Sequence, residues 1–347
     1  MKTRVLVTGA GALLGQGIIK SLRLSKSGYH VISADPDPQS VGLYWSDTAY
    51  LIPMASAPDY LDAIRRILAR ERPDAVLVGT DVELLTFATH REELEADFRT
   101  RIVVSPPDVI RIADDKWLTY QFLQAHGFPH PRTVLPDRAH ELLEDCGFPL
   151  VVKPRVGARS VGLHQVKNEE QLRAALAATE NPVVQECVAT SRDEFTSGVL
   201  VTPGTAPAVV TMRRDLRDGN TYRAYVVPDC PHNAFLADAA LAIGGFGPLN
   251  FQFRVDGGVP KVFEINARFS GTTPLRAYAG FNEVDLLLRS LLFGEPIPRP
   301  SLGEVAILRY WDEIVVRPEQ MNALSLDAPC AQPRCEHPFA PQGPSTE

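Results

Sequence analysis

Short apolar runs alternate with segments of helical spacing from the first residues onward. Val5-Leu6-Val7-Thr8 ends in a glycine turn, and Leu14, Ile18, Ile19 and Leu22 follow at the intervals of one helix face. The unit recurs as Val31 to Asp35, then a helix carrying Leu61, Ile64, Ile67 and Leu68, then Ala75 to Val78, and later Ile102-Val103-Val104. Strand and helix in alternation predict an open parallel α/β sheet over residues 1 to 106.

Pro106-Pro107 breaks that rhythm. A helix bearing Trp117, Leu118 and Phe122 follows and ends near Gly127, with Pro129 and Pro131 beyond it. From Leu150 the pattern becomes an apolar strand, a glycine-rich loop, a second strand from Val161 to Val166, a helix with Leu172 and Leu176, and Val183-Val184. That is a small α+β unit. A third stretch predicts strands at 195 to 201, 208 to 212, 221 to 227, 249 to 255 and 261 to 265, with hairpin turns at Asp218-Gly219 and Asp256-Gly257-Gly258 and helices at 233 to 242 and 283 to 293. From 324 the chain is rich in Pro and small polar residues without periodicity, and is expected to be poorly ordered.

Composition narrows the class of protein. At 347 residues the chain fits two or three packed units, and 45% hydrophobic against 22% charged residues is the balance of a folded body. A net charge of −7 excludes a chain built mainly to bind nucleic acid or an acidic membrane surface, although local cations can still hold a nucleotide. Cys146, Cys187, Cys230, Cys330 and Cys335 lack the paired spacing of a secreted disulfide framework, so a reducing cytoplasm is the expected setting. The start, Met1-Lys2-Thr3-Arg4 before an apolar run, imitates a signal peptide, but Gly9, Gly11, Gly15 and Gly17 interrupt it. No stretch approaches the roughly 18 apolar residues of a membrane span.

Three segments are candidates for chemistry. In the first, Gly9-x-Gly11-x-x-x-Gly15 with Asp35 ending the second strand suggests a dinucleotide turn, but the spacing is not G-x-G-x-x-G. Gly11-x-x-x-Gly15-x-Gly17 imitates a short-chain dehydrogenase turn, but that turn calls for Tyr-x-x-x-Lys, which the sequence lacks. A tight strand-to-helix turn that needs glycine is the preferred reading. The second, Gly157-Ala158-Arg159-Ser160-Val161-Gly162, has the outer spacing of a Walker A loop but continues with Leu163-His164, and a nucleophile elbow at Ser160 lacks its first glycine and its following helix. Strand, glycine loop and strand predict a hairpin flap whose N–H groups can meet phosphate oxygens. Only seven of the 35 basic residues are lysines, so Lys153 inside an apolar strand before the flap and Lys116 after Asp114-Asp115 stand out as cations that can meet a phosphate, although Lys116 alone reads equally as a snorkelling surface lysine.

The third candidate is a strand pair. Alternation puts Glu264, Asn266 and Arg268 on one face, with Phe263 and Ile265 on the other and Gln252 across the hairpin. Oxygen ligands beside an arginine suit magnesium-bound phosphate. His126, His130, Cys330, Cys335 and His337 have no zinc spacing. Arg213, Arg214, Arg217 and Arg223 lie in a stretch read as a loop, which is equally a carboxylate clamp or a solvated basic surface.

The order Asp115-Lys116, Val151-Val152-Lys153-Pro154, Gly157 to Gly162, Val184-Gln185-Glu186-Cys187-Val188, Glu194, Gln252 and Glu264-Ile265-Asn266-Ala267-Arg268 resembles the ATP-grasp superfamily. It is most similar to a single module of the carbamoyl phosphate synthase large subunit and its short ligase relatives, over about residues 1 to 310. The resemblance implies an α/β ATP-grasp fold. Residues 1–106 would be a Rossmann-like preATP-grasp domain, 107–185 linker helices and a small α+β lid, 186–323 a larger α+β catalytic subdomain, and 324–347 a disordered tail. It further implies that Lys116 and Lys153 contact the phosphates of ATP, and that the flap, through Gly157, Ser160, Val161 and Gly162, closes over them. Gln185, Glu186, Cys187 and Val188 would form the adenine hinge, with Glu194 on the ribose. Gln252, Glu264 and Asn266 would hold Mg2+, or Mn2+ in its place, and Arg268 with Lys153 would act on the transferring group. Gln252 stands where many members carry Glu or Asp, so the metal set has one less negative charge.

The implied activity is an ATP-dependent ligase that activates a small carboxylate, an amino acid among the candidates, as an acyl phosphate and couples it to an amine. A homo-oligomer, as a dimer, and small-molecule partners are expected. A phosphotransferase or carboxylase on the same ATP site, and a non-catalytic nucleotide-binding module, are the alternatives.

Overall fold

A computed structural model describes residues 2–157, 160–188, 194–325 and 329–331, and the chain forms two compact units. The first comprises Met1–Val104, Arg268–Pro298 and Tyr310–Glu347. Strands β1 (Arg4–Thr8), β2 (His30–Asp35), β3 (Thr48–Leu51), β4 (Ala75–Leu77) and β5 (Arg101–Val103) run parallel in the order β3-β2-β1-β4-β5. Their apolar runs are covered on both faces, and Val5, Leu6, Val7, Ile32 and Val76 are wholly buried, as a parallel sheet requires. The expected α/β sheet is present, with one strand, Thr48–Leu51, that the sequence pattern did not predict.

Strand order reverses between β1 and β4, and the glycine turn sits at the end of β1. Gly9 has φ +56°, and a Cβ on Gly15 would lie 2.1 Å from the Gly9 carbonyl oxygen, so the turn and the helix Leu13–Leu24 close on each other only with glycine. Asp35 serves this loop. It accepts hydrogen bonds from Gly11 N–H at 2.7 Å, Asp37 N–H at 3.0 Å and the Ser40 hydroxyl at 2.6 Å. The acid that imitates a ribose ligand is thus used to shape its own turn.

Two helices from late in the chain, Thr273–Tyr278 and Glu283–Phe293, belong to this unit rather than to the expected 186–323 subdomain. The reason is specific packing against the helix Leu13–Leu24 and its exit. Asp285 Oδ1 accepts from Ser25 at 2.5 Å and from Ser27 and Tyr29 at 2.8 Å, and Asn282 Nδ2 donates to Ser21 O at 2.7 Å. Arg276, 1% exposed, is held by Glu283, Ser270 and Thr272, so the Ser270–Thr273 segment is an internal network and not a loose loop. The tail expectation is corrected in part: Cys330–Ala331 pairs antiparallel with β3, and Leu51 N–H donates to Ser325 O. Residues 332–347 lie outside the described residues.

The second unit comprises Ser105–Ala267 and Arg299–Arg309. A four-stranded antiparallel sheet holds β6 (Thr133–Val134), β7 (Leu150–Pro154), β8 (His164–Val166) and β9 (Pro182–Glu186) in the order β6-β9-β7-β8. Leu142, Leu150, Val152, Val166 and Val184 form its core with the helices Ala139–Cys146 and Glu169–Ala178. A six-stranded antiparallel sheet holds β10 (Glu194–Thr202), β11 (Thr205–Arg217), β12 (Asn220–Val226), β13 (Gly247–Asp256), β14 (Val259–Asn266) and β15 (Ala306–Leu308) in the order β14-β13-β10-β11-β12-β15. The turns at Asp218-Gly219 and Gly257-Gly258 have positive φ at both central residues, the two-residue hairpin geometry that Asp-Gly and Gly-Gly favour. The basic stretch from Arg213, read as a loop, is strand, turn and strand. Among the described residues no helix is long and apolar enough to cross a membrane.

Gly15→Ala should destabilise the protein, because the new methyl meets backbone atoms that cannot swing away; overpacking of this kind costs about 1–3 kcal/mol. Thermal melting checks this, with a clear fall in Tm expected and an unchanged Tm contradicting the tight turn.

Candidate functional site

A cavity of about 690 Å³ in the second unit is lined from both of its sheets. Lys116, Lys153, Gly157, Ser160, Val161, Gln185, Glu186, Cys187, Val188, Glu194, Gln252 and Glu264 all contribute to its wall. Gly162 and Asn266 lie just beyond this lining, and Arg268 is counted with the first unit, where it pairs with Asp81 at 2.6 Å. Among the described residues no three His, Cys, Asp or Glu gather as a metal cluster. The expected metal set contains one acid only.

The two lysines are placed by different devices. Asp115 caps the helix Lys116–Ala125 through Trp117 N–H at 2.8 Å and also pairs with Arg155 at 2.5 Å, which ties the helix start to the end of β7. Lys116 Nζ donates to the Gly157 carbonyl at 2.8 Å, at the foot of the flap. Lys153 lies on the same face of the small sheet as Gln185, and its Nζ donates to Gln185 Oε1 at 2.9 Å and stands 5.5 Å from the Phe263 ring centre. Only 5% of Lys153 is exposed. Burial pushes its ammonium down to about 7, with Lys116 acting in the same direction and Glu264 against it.

The flap is a hairpin, with Val152 paired to His164 and a loop between β7 and β8. Gly157, Ser160 and Gly162 all take positive φ, and Leu163 N–H donates to Ser160 O. Ala158 and Arg159 lie outside the described residues. At the hinge, Glu186 is engaged by Lys261 at 2.5 Å and by Arg132 N–H at 3.0 Å, Cys187 Sγ meets Gln165 Nε2 at 3.2 Å, and the Val188 carbonyl accepts from Arg254 at 3.1 Å.

Glu194 is the electrostatic centre of the larger sheet. It pairs across the ladder with Arg254 on β13, and Arg214 of β11 reaches it from the other side. Arg214 donates from Nε at 3.1 Å and Nη2 at 2.6 Å to Oε1, and Arg254 from Nε at 3.2 Å and Nη2 at 2.7 Å to Oε2. Burial alone would raise the carboxyl pKa, but the two guanidinium groups hold it below the ordinary range. Arg214 Nη2 also donates to Gln252 Oε1 at 2.5 Å.

Gln252 faces Glu264 across β13 and β14, and Asn250 faces Asn266. Asn266 Nδ2 donates to Glu264 Oε1 at 3.1 Å, so the three expected ligands form one group. Simple alternation fails at one place. The register shifts after Gln252, where Phe253 pairs with Val262, so Phe263 is the extra residue of a β-bulge. Phe263 therefore lines the cavity beside Glu264 instead of joining Ile265 on the far face. Arg254 was missed as a site residue, and Arg214, named only as one of four arginines of a clamp or a basic surface, was not linked to Glu194. The signal was present for Arg254, two positions beyond Gln252 on the same strand face, whereas Arg214 emerges only from the β10–β11 register.

Three family models match successive parts of the chain: "PylC-like, N-terminal domain" at residues 5–100, "D-ala D-ala ligase C-terminus" at 116–223, and "ATP-grasp in the biosynthetic pathway with Ter operon" at 190–311. The chain thus carries ATP-grasp domains behind a PylC-like N-terminal domain. It is homologous to the carbamoyl phosphate synthase large chain: the C-terminal section of that chain in Methanopyrus kandleri is 27% identical over 376 aligned positions, covering 96% of this chain and 62% of the relative. The chain spans less than two thirds of the length of the first curated relatives it matches. In three dimensions it is similar to N5-carboxyaminoimidazole synthetase of Staphylococcus aureus complexed with ADP, with a TM-score of 0.73 at 16% identity over 89% of this chain and 82% of the other. The L-amino acid ligase of Bacillus licheniformis aligns with a TM-score of 0.61 at 17% identity, over 84% and 74%. These likenesses establish the fold.

Because the folded Lys153 value of about 7 lies below the ordinary 10.5, the unfolded chain binds the extra proton between those two pH values. Stability of the free protein should therefore rise with pH across that window. Thermal melting across it should show this rise in the wild type and a flatter profile in Lys153→Met. Identical slopes would mean that Lys153 keeps an ordinary pKa.

Proposed function

We propose that the chain is an ATP-dependent ligase that activates a small carboxylate as an acyl phosphate and couples it to an amine, with amino acids as the leading substrate class. The carrying observation is the convergence, in one cavity, of two lysines, a glycine flap, a hinge segment and the Gln252–Glu264 pair, with Asn266 bonded to Glu264. In this reading the backbone at 185 to 188 receives adenine, Glu194 lies at the sugar, and Lys116, Lys153 and the flap N–H groups hold the phosphates. The oxygen donors of Gln252, Glu264 and Asn266 fit a hard cation such as Mg2+, with Mn2+ as a substitute. When bound, that ion would offset negative charge on the phosphates.

Lys153 suits phosphate binding for a physical reason. Its buried ammonium is short of compensating charge in the free protein, so an incoming phosphate supplies what the fold withholds. The overall reaction balances simply: a carboxylate oxygen attacks the terminal phosphorus and ADP leaves, then the amine attacks the acyl carbon and phosphate leaves. Arg268 is assigned to the acyl phosphate, as the resemblance implies. The names of the similar proteins, a carbamoyl phosphate synthase and an L-amino acid ligase among them, support this reaction class.

With ATP, magnesium and the correct acid, hydroxylamine should trap a hydroxamate, since an acyl phosphate is an activated acyl donor. ADP formation with a stable phosphorylated product and no trappable acyl group would instead identify a phosphotransferase. Glu264→Gln should retain ATP binding but lose about 4 kcal/mol of transition-state stabilisation, roughly a thousandfold in single-turnover ADP release. Wild-type turnover by a folded Glu264→Gln protein would move the metal site elsewhere.

A further inference from the structure

The two arginines around Glu194 bear on which sugar the cavity accepts. A carboxylate offers about four lone-pair sites. Four N–H donors occupy them at Glu194, two from Arg214 on Oε1 and two from Arg254 on Oε2. Both arginines are themselves fixed: Arg214 is 8% exposed and also donates to Gln252 and to Thr221, and Arg254 donates to the Val188 carbonyl. A hydroxyl group could enter only by displacing a guanidinium N–H, which replaces a bond between two charged partners with one in which the acceptor alone is charged, an unfavourable exchange.

Glu194 is also the acid that a sugar would meet. Arg254 joins it to the carbonyl of Val188, and Glu194, Val188, Lys153 and Glu264 all line the one cavity. Of the other two lining acids, Glu186 pairs with Lys261, and Glu264 accepts from Asn266 within the group read above as cation ligands.

We propose that the cavity takes ATP and 2′-deoxy-ATP alike, because Glu194 is saturated by Arg214 and Arg254 and offers no acceptor to a 2′-hydroxyl. This inference rests on the nucleotide reading above. It differs from the ribose-holding role that the family resemblance implies for Glu194, and it makes the carboxylate a structural anion that neutralises the buried Arg214 and the half-buried Arg254 and aims Arg214 at Gln252.

Calorimetric titration of the full chain with ATP and with 2′-deoxy-ATP, both with magnesium, tests it. Dissociation constants within fivefold of each other are expected, and a larger preference for ATP overturns the inference. If neither nucleotide binds, the nucleotide reading itself fails, an outcome distinct from ATP-selective binding, and the inference falls with it. Arg214→Met supplies a second arm. It vacates the Glu194 Oε1 acceptors, so the variant should bind ATP more than fivefold tighter than 2′-deoxy-ATP. A smaller ratio in the folded variant places the sugar away from Glu194 and overturns the inference by another route. The wild-type comparison stands whether or not that variant folds.

Discussion

A carboxylate buried as deeply as Glu194, 5% exposed, must either take up a proton or be matched by cations with good geometry. The larger sheet takes the second course. Because β10 lies between β11 and β13, a residue on its cavity face has one cross-strand neighbour on each side, and arginines from both strands close on Glu194. This arrangement sets the next contacts outward. Arg214 fixes the orientation of the Gln252 amide, and Arg254 holds the Val188 carbonyl at the end of the hinge. Removing the carboxylate would leave two guanidinium groups unmatched in a cavity wall, so the shape of the site depends on it.

The smaller sheet contributes the opposite kind of charge. Lys153 has a neutral amide, Gln185, as its hydrogen-bond partner and an aromatic ring nearby, and burial makes its charged form costly. One wall of the cavity is thus electrostatically closed and the other is left receptive to an anion. Lys116 adds to the receptive side, since it is held by carbonyl oxygens at the flap rather than by a carboxylate. An anion brought to this wall would meet Lys116 and would favour the charged form of Lys153.

In the first unit, polar groups are used for construction. Asp35 organises the loop after β2 and the turn after β1, Asp285 gathers three hydroxyls at the end of the first long helix, and Arg276 is enclosed by Glu283 and neighbouring hydroxyls. Glu83 accepts from Tyr60 and Thr8 in the same fashion, and burial pushes its carboxyl up to about 7. These networks account for the glycine turn and its acid without a dinucleotide. They also explain why chain segments 256 to 260 residues apart fold into one unit: the hydroxyl cluster from Ser25 to Tyr29 finds its acceptor only on the helix Glu283–Phe293.

Local pattern was enough to read the strands and helices that carry the site, including the hairpin turns and the flap, because a two-residue alternation or a glycine turn is written within a few neighbouring positions. Lys153, Gln252, Glu264 and Asn266 were legible for the same reason: each is a polar residue at a fixed phase of an apolar strand. What the sequence could not decide is how strands are registered against each other. The bulge that turns Phe263 into the cavity changes the phase of a strand by one residue, a shift that costs little locally and is set by the partner strand. The arginine pair on Glu194 arises from three strands, with partners 20 and 60 residues away along the chain, and the attachment of the late helices to the first sheet from contacts across most of the chain. Such contacts depend on which surfaces meet once the units fold, and no local spacing encodes them.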